Sequence, residues 1–434
     1  MFEETVSIIG RSLEGLPDHR KGGNNTQYAI SDAALSAFSV FMMQSPSFLS
    51  YQRDMQRQKK RDNVQTLFGV HKIPSDNQIR NLLDPIAAAE VGPVFWGIYE
   101  QLDAMGELKQ HRGIDDNLLC GIDGTQYYSS TKISCPSCTR RERNETVHYS
   151  HSVIIPVLVA PESHHVFALE PEFIVPQDGQ DKQDCEQNAF KRWVKRHAHR
   201  LPAGNVTMLA DDLHAKQPIC DLLLAHDMNF IFVCKPDSHP TLYEEVELLT
   251  RIDGLQHHEE RIFNGRFWEQ RNYRYVNQVP LRSGEDALLV NWCEVSIWDE
   301  KQEKRLYFNQ FITNHFLDET RVAPLVDSGR ARWKTENESH NVLKNCGYHL
   351  EHNFGHGQQH LSTLLLSLNL LAFLLHTVLD RTDDIYQQVR QELGTRQTFF
   401  NDIRTLTRYM IFDSWKHLLD FMFIQLELDQ KHPP

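Results

Sequence analysis

Leu118-Leu119-Cys120-Gly121-Ile122-Asp123-Gly124-Thr125 is the stretch that decides the fold, because it is an apolar run that ends in an acid. A second stretch, Val206-Thr207-Met208-Leu209-Ala210-Asp211-Asp212, has the same form. Short apolar runs bounded by turn residues are typical of buried strands. Because ligand sites collect where neighbouring strands of an open α/β sheet end, we expect these acids to lie close together.

The regions around these runs predict a mixed sheet covered by helices, which is an α/β fold. Pro156 indicates a break or bulge within one of the strands. The element order is β-β-β-α-β-α-β, which is that of a ribonuclease-H-like core. The predicted strands are residues 118–128, 151–160, 166–174, 206–210 and 229–234, and the predicted helices are residues 184–200 and 214–226.

At 434 residues the chain is too long for one ordinary core, so we expect several regions. Alternating apolar and polar residues with Asn264-Gly265 and Ser283-Gly284 turns predict an inserted all-β subdomain. The regions are a helical DNA-binding or dimerisation region at 1–110, the first part of the core at 111–250, the β insertion at 251–315, the second part of the core at 316–380 and a helical region at 381–434.

The composition is that of a globular chain, with 40% apolar and 24% charged residues. The formal net charge of −13 argues against a histone-like DNA-binding protein. Basic residues nevertheless cluster, so a local nucleic-acid surface is not excluded. The clusters are Arg53, Arg57, Lys59, Lys60 and Arg61; Lys191, Arg192, Lys195, Arg196, His197, His199 and Arg200; and Arg321, Arg330, Arg332 and Lys334.

The sequence also bears on localisation. Met1-Phe2-Glu3-Glu4 has neither a basic nor an apolar leader, so we expect no secretory signal and a cytoplasmic protein. The longest apolar stretch, residues 361–379, contains Asn369 and His376 and therefore predicts a buried helix rather than a membrane span. The irregularly spaced cysteines are expected to be reduced thiols.

A third acid lies in Arg332-Trp333-Lys334-Thr335-Glu336-Asn337-Glu338, at the start of a predicted helix. Hard divalent cations bind carboxylate oxygens, and two such ions can clamp the attacking and leaving oxygens of a phosphoryl transfer. For two of these acids an alternative metal ligand remains open. Asp212 competes with Asp211, because successive strand residues face opposite sides, and Glu338 competes less strongly with Glu336.

Over roughly residues 25–380 these stretches resemble the DDE transposases of bacterial insertion sequences. The resemblance implies that Asp123, Asp211 and Glu336 hold two Mg²⁺ or Mn²⁺ ions and cut and join DNA. In this family an Arg lies four residues before the catalytic Glu, as Arg332 does here, and a Lys lies on the same helix face. Lys344 takes that place, eight residues after Glu336, which is one more than in one large branch of the family.

The resemblance also implies partners. We expect binding to transposon terminal inverted repeats and to target DNA, assembly as a homodimer or a higher synaptic complex, association with the nucleoid when DNA is bound, and no membrane. We expect DNA contacts from Arg332 and Lys344 and, from the basic clusters, from Lys334, Arg192 and Lys195. Two alternatives remain: a metal-dependent nuclease of the same fold that does not join strands, and a domesticated, non-catalytic DNA-binding protein.

A second constellation lies in the loop after the first predicted strand. Cys135 and Cys138, followed by His148 and His151, have the spacing C-x2-C-x9-H-x2-H, which is compact enough for tetrahedral zinc. Four protein ligands would leave no open position, so such an ion would be structural. The alternative is a pair of reduced cysteines in a polar hairpin with incidental histidines.

Overall fold

The computed structural model describes residues 2–20, 27–55, 62–176 and 184–431. Its strands are β1 (Leu118–Gly121), β2 (Gly124–Ser130), β3 (Thr139–Arg143), β4 (Thr146–Ile154), β5 (Val157–Val159), β6 (Phe167–Ala168), β7 (Glu172–Ile174), β8 (Val206–Ala210), β9 (Asn229–Val233), β10 (Gln256–Phe263), β11 (Trp268–Pro280), β12 (Leu289–Asp299) and β13 (Lys304–Thr313).

The α-helices are α1 (Phe2–Glu14), α2 (Ile30–Met42), α3 (Phe48–Met55), α4 (Asn63–Phe68), α5 (Asp76–Leu83), α6 (Gly92–Ala104), α7 (Glu186–His197), α8 (Gln217–Leu224), α9 (Pro240–Arg251), α10 (Val322–Arg330), α11 (Asn341–Asn345), α12 (Leu361–Thr382), α13 (Asp384–Glu392), α14 (Arg396–Tyr409), α15 (Trp415–Gln425) and α16 (Leu428–Lys431). A π-helical segment, Thr335–His340, directly precedes α11.

Over the described residues, the large sheet has nine strands in the order β10-β11-β12-β13-β9-β8-β1-β5-β6. At its centre β1, β8 and β9 run parallel, whereas β5 and β6 are antiparallel additions on the β1 side. The central strands are buried along their whole lengths or nearly so, as expected for parallel strands covered on both faces. The prediction of a mixed α/β sheet is therefore confirmed.

Each of the three consecutive strands predicted from the sequence is divided between two sheets. The first splits at Ile122-Asp123 into β1 and β2, and the second splits at Ile155-Pro156 into β4 and β5. The third splits into β6 and β7. The halves β2, β4 and β7 join β3 in a smaller four-stranded sheet. The break predicted at Pro156 is present, and Asp123 lies at the point where the chain leaves the large sheet.

The β insertion continues the large sheet rather than forming a separate one. Strand β13 pairs antiparallel with β9, and β12, β11 and β10 follow in order. Residues 256–313 form four antiparallel strands, as the alternating pattern indicates, but hydrogen bonds between β13 and β9 make them an extension of the large sheet.

The helices at the two ends of the chain pack together. Asn63 at the start of α4 donates to the carbonyl oxygens of Thr407 and Met410, 2.7 Å away in each case. The indole of Trp415 donates to the carbonyl of Leu67 at 3.0 Å. The sequence regions 1–110 and 381–434 thus form one helical layer across the described residues.

Helix α12 runs through the middle of this layer. Within the described residues it is the one helix long and apolar enough to cross a membrane, but 89% of its most apolar 18-residue window is buried inside the protein. Its His376 bonds to the Tyr348 hydroxyl at 2.7 Å and to the carbonyl of Met42 at 3.0 Å. This is the packing of a buried core helix, as predicted for residues 361–379.

Candidate active site

The parallel pairing of β1 with β8 determines where two of the predicted acids lie. Gly121 pairs with Leu209, so Asp123 and Asp211, each two residues further on, occupy matching positions at the same edge of the sheet. Adjacent strands lie about 4.8 Å apart. The Asp123 side chain is 27% exposed and that of Asp211 45%, so both carboxylates remain accessible from solvent.

The third acid approaches through a close contact between the π-helical segment and β1. A Cβ on Gly121 would collide with the hydroxyl of Thr335, so only glycine allows the segment to lie this close. Glu336 follows Thr335 and is exposed. Glu338 instead lies 3.6 Å from His164, and Glu336 is the acid of this segment whose charge acts on Asp123.

The electrostatics of Asp123 show that the acids interact. Burial raises the pKa of Asp123 and the positive charge of Arg332 opposes this, while the charges of Asp211 and Glu336 raise it further. Within the described residues Arg332 has no ion pair within 4.0 Å. The structure therefore brings Asp123, Asp211, Glu336 and Arg332 within electrostatic reach of one another.

Asp211 and Asp212 have different environments. Burial acts to raise the pKa of Asp211, but its hydrogen bond with His214 and the charges of His214 and Arg332 outweigh this, so the pKa lies below its usual value. Asp212 turns away and accepts from the backbone N–H of Lys235 at 2.7 Å and from the hydroxyl of Ser238. Of the two, Asp211 is the one that faces Asp123.

A fourth acid, Glu186, was not predicted. It opens α7, and its carboxylate lies so close to Gly124 that a Cβ there would collide with it. Burial raises the pKa of Glu186; His214 opposes this, while Asp123 and Asp211 add to it. An acid in the first turn of a predicted helix was the available signal, but that position is common in any helix.

Two histidines that the sequence analysis did not select also belong to this site. His214 is buried and reaches Asp211 at 2.9 Å, with its other ring nitrogen 3.7 Å from Glu186. His340 lies 3.9 Å from Asp123, and burial lowers its pKa to about 4, so its imidazole is neutral at pH 7. The spacing of Asp211 and His214 by three residues was the only local signal.

Two residues predicted to contact DNA are used elsewhere. The ammonium of Lys334 is buried and donates to the carbonyls of Ala160, Pro161 and Ser163 in the loop after β5. Arg192 is held in ion pairs with Glu172 at 2.8 Å and Asp184 at 2.7 Å. The prediction for Lys334 is wrong, because its ammonium is buried and its donors are engaged inside the protein. The side chain of Arg192 is 27% exposed, so its role in DNA binding stays a prediction.

The remaining predicted DNA contacts are open to solvent to different degrees. Lys195 is exposed on α7. Lys344 on α11 is 31% exposed and pairs with Glu351 at 3.2 Å, an interaction that water screens. The cluster of Arg53, Arg57, Lys59, Lys60 and Arg61 lies outside the side chains that the structure describes.

The predicted zinc ligands assemble with one change. Cys135, Cys138, His151 and His356 place their ligand atoms within 4.8 Å of one another, and we call them the Cys2His2 cluster. His148 is not part of it, so that prediction is wrong. His148 and His151 are three residues apart on β4, and because strand side chains alternate, they point to opposite faces.

No protein-family model matches this chain, and no curated protein matches it.

Proposed function

We propose that this protein is a DDE-type DNA transposase with a ribonuclease-H-like core. The in-register placement of Asp123 and Asp211 at the ends of parallel strands, with Glu336 brought to them by the Thr335 contact, is the observation that carries the proposal. The strand order β6-β5-β1-β8-β9 supports the core assignment, since three antiparallel strands precede two parallel ones in the chain.

The acid cluster suits hard divalent cations. Asp211, Glu336 and Glu186 bring further negative charge to Asp123, and within the described residues Arg332 is the cation that acts on it most strongly. Oxygen-only ligands of this kind favour Mg²⁺ or Mn²⁺. Two such ions, when bound, would polarise the phosphate and lower the pKa of an attacking water.

The side chains have distinct roles in this proposal. Asp123, Asp211 and Glu336 would hold the metal ions. Arg332, whose guanidinium has no carboxylate partner within 4.0 Å among the described residues, would bind a phosphate beside the cut, and Lys344 a neighbouring one. A π-helical segment is rare and is frequently found at functional sites, which is consistent with Glu336 being held in one.

The reaction would proceed in two phosphoryl transfers. Water first attacks a phosphodiester at the end of the transposon DNA, and the bond from phosphorus to the 3′ oxygen breaks, leaving a 3′-hydroxyl. That hydroxyl then attacks a target phosphodiester, so that a new bond to the target phosphorus forms, the bond from that phosphorus to the target's 3′ oxygen breaks, and the released 3′ oxygen takes up a proton. The active protein would be cytoplasmic and would associate with the nucleoid when it binds DNA. A homodimer or larger complex would bring the two DNA ends together.

The test uses a duplex that carries the inverted repeats flanking the coding sequence, with supercoiled plasmid as target and Mg²⁺ or Mn²⁺ present. The expected result is cleavage and joining by the wild type, and cleavage lost in Asp123→Asn, Asp211→Asn and Glu336→Gln with DNA binding retained. Glu338→Gln is the matched control and should cut normally. Cleavage without joining of a pre-cut end would assign a nuclease, and binding without cleavage a non-catalytic protein.

A further inference from the structure

The Cys2His2 cluster contains none of the three acids and has no part in the proposed DNA chemistry. Cys135 and Cys138 flank the Pro136-Ser137 turn between β2 and β3, and His151 lies on β4. His356 comes from the loop between α11 and α12. The cluster therefore joins the smaller sheet to the loop that follows the Glu336 segment.

The spacing of the ligand atoms is that of a tetrahedral metal site. Cys135 Sγ and Cys138 Sγ are 3.9 Å apart, and His151 Nε2 lies 3.5 Å and 3.4 Å from them. His356 Nε2 lies 3.6 Å from Cys138 Sγ. Zinc bonds of about 2.3 Å to sulfur and about 2.0–2.1 Å to nitrogen require tetrahedral edges of about 3.4–3.8 Å.

Two alternatives to a metal ion, free thiols and a disulfide, fit the cluster less well. Within the described residues, the two sulfurs are the only hydrogen-bond partners of His151 Nε2. His151 is buried, and thiols are weak hydrogen-bond partners for a buried ring nitrogen. A disulfide needs sulfur atoms about 2.05 Å apart, far closer than these. A metal ion at the centre would satisfy all four ligand atoms at once.

We propose that the Cys2His2 cluster binds a structural zinc ion that fastens the loop after the Glu336 segment to the smaller sheet. Binding converts two thiols to thiolates and releases two protons to solvent, while both imidazoles bind as neutral ligands. All four positions are filled by protein, so the ion has no open site for substrate. The backbone N–H of Cys135, 3.5 Å from Cys138 Sγ, would stabilise a thiolate there.

The same loop is held independently on its other side. The carboxylate of Asp84 accepts from the backbone N–H groups of Gln358 and Gln359 at 3.0–3.1 Å, and Arg80 donates to the carbonyl of Phe354 at 2.9 Å. The zinc ion would complete this anchoring, because His356 lies between these contacts. Loss of zinc should therefore loosen the loop without unfolding the whole chain.

The experiment is metal analysis of the purified full-length protein. We expect about one zinc per chain, and we expect Co²⁺ in its place to show the intense visible bands and thiolate charge transfer of tetrahedral cobalt. Cys138→Ser and His356→Ala should lose the metal. His148→Ala is the matched control, since it removes a histidine of the same strand that lies outside the cluster, and it should keep the metal.

Two further measurements separate metal loss from misfolding. His356→Cys supplies another thiolate and should restore zinc and the cobalt spectrum. Hydrogen exchange after removal of zinc by a chelator should rise in residues 346–360 more than in β1 and β8. Absence of zinc together with no tetrahedral cobalt spectrum would overturn the proposal, as would loss of metal in His148→Ala but not in His356→Ala. Neither readout requires DNA cleavage, so this inference can fail while the transposase proposal stands.

Discussion

The imidazole of His214 lies 2.9 Å from the carboxylate of Asp211 and is itself buried. An ionised carboxylate only accepts hydrogen bonds, so His214 Nδ1 is the donor. The contact holds the Asp211 side chain at the sheet edge where Asp123 also lies. It makes His214 a positioning residue for the candidate site.

Replacing His214 should change the acid stability of the protein. The pKa of Asp211 is lowered in the folded state, so this group stabilises the fold above its unfolded-state pKa of about 3.9, and the contribution is lost as pH falls through the folded-state value. In His214→Ala the pKa should return toward its usual value. Urea unfolding should therefore show a shallower rise in stability between about pH 2 and pH 5.

The control for this prediction is His199→Ala, at an exposed position just beyond α7. It should retain the wild-type dependence of stability on pH, whereas Asp211→Asn should show the shallow dependence of His214→Ala. A His214→Ala protein whose stability still rises with pH as steeply as the wild type would show that His214 does not lower the pKa of Asp211.

Arg332→Ala should impair cleavage more than overall DNA binding. Its charge acts on both Asp123 and Asp211, so a phosphate bound by Arg332 would lie beside the metal ions. Loss of one phosphate contact should reduce the slope of log affinity against log salt by about one. Binding measured over a salt series, with cleavage measured in parallel, checks this.

Arg251→Ala is suited as its comparison, since Arg251 is 71% exposed on α9 and its ion pair among the described residues is with Glu247, which is 65% exposed. Its cleavage rate should match the wild type. Normal cutting by Arg332→Ala would remove the phosphate role and weaken the assignment of Glu336, which rests on the same four-residue spacing.

Lys334→Met should destabilise the protein without changing the salt dependence of its DNA affinity. The substitution leaves the carbonyls of Ala160, Pro161 and Ser163 without their shared donor. The contact with Ala160 is buried, and one buried unsatisfied group costs about 1–3 kcal/mol. The free energy of unfolding from urea titration should fall by at least about 1 kcal/mol. The exposed Lys195→Met should change it by less than about 0.5 kcal/mol. Equal stabilities of the two variants would contradict the buried role of Lys334.

Gly121→Ala should displace the segment that carries Glu336. The new methyl group would collide with the Thr335 hydroxyl, and overpacking of this kind costs about 1–3 kcal/mol. Thr335→Ala removes that hydroxyl, which has no hydrogen-bond partner among the described residues. The double variant Gly121→Ala with Thr335→Ala should therefore recover most of the stability and cleavage lost in Gly121→Ala. If urea unfolding shows that the stability losses of the two single variants simply add in the double variant, the contact between Gly121 and Thr335 is refuted.

Local patterns were enough to predict the central elements of the fold. The strand predicted at residues 206–210 matches β8, and the helix predicted at 184–200 contains α7. Apolar periodicity reports which residues of a short segment are buried, and this depends on neighbours a few positions away. It does not report which sheet a strand joins, so the division of residues 118–128 between β1 and β2 could not be predicted.

The sequence by itself determined that Asp123 and Asp211 end buried strands and that Cys135 and Cys138 share a turn, because strand ends and turns depend on a few adjacent residues. Only the tertiary structure decided the partners of these residues. His356 reaches Cys138 from 218 residues further along the chain, Lys334 finds three carbonyls in a distant loop, and Glu186 joins the aspartates through helix packing. Such contacts depend on how whole elements pack, and no local periodicity encodes that.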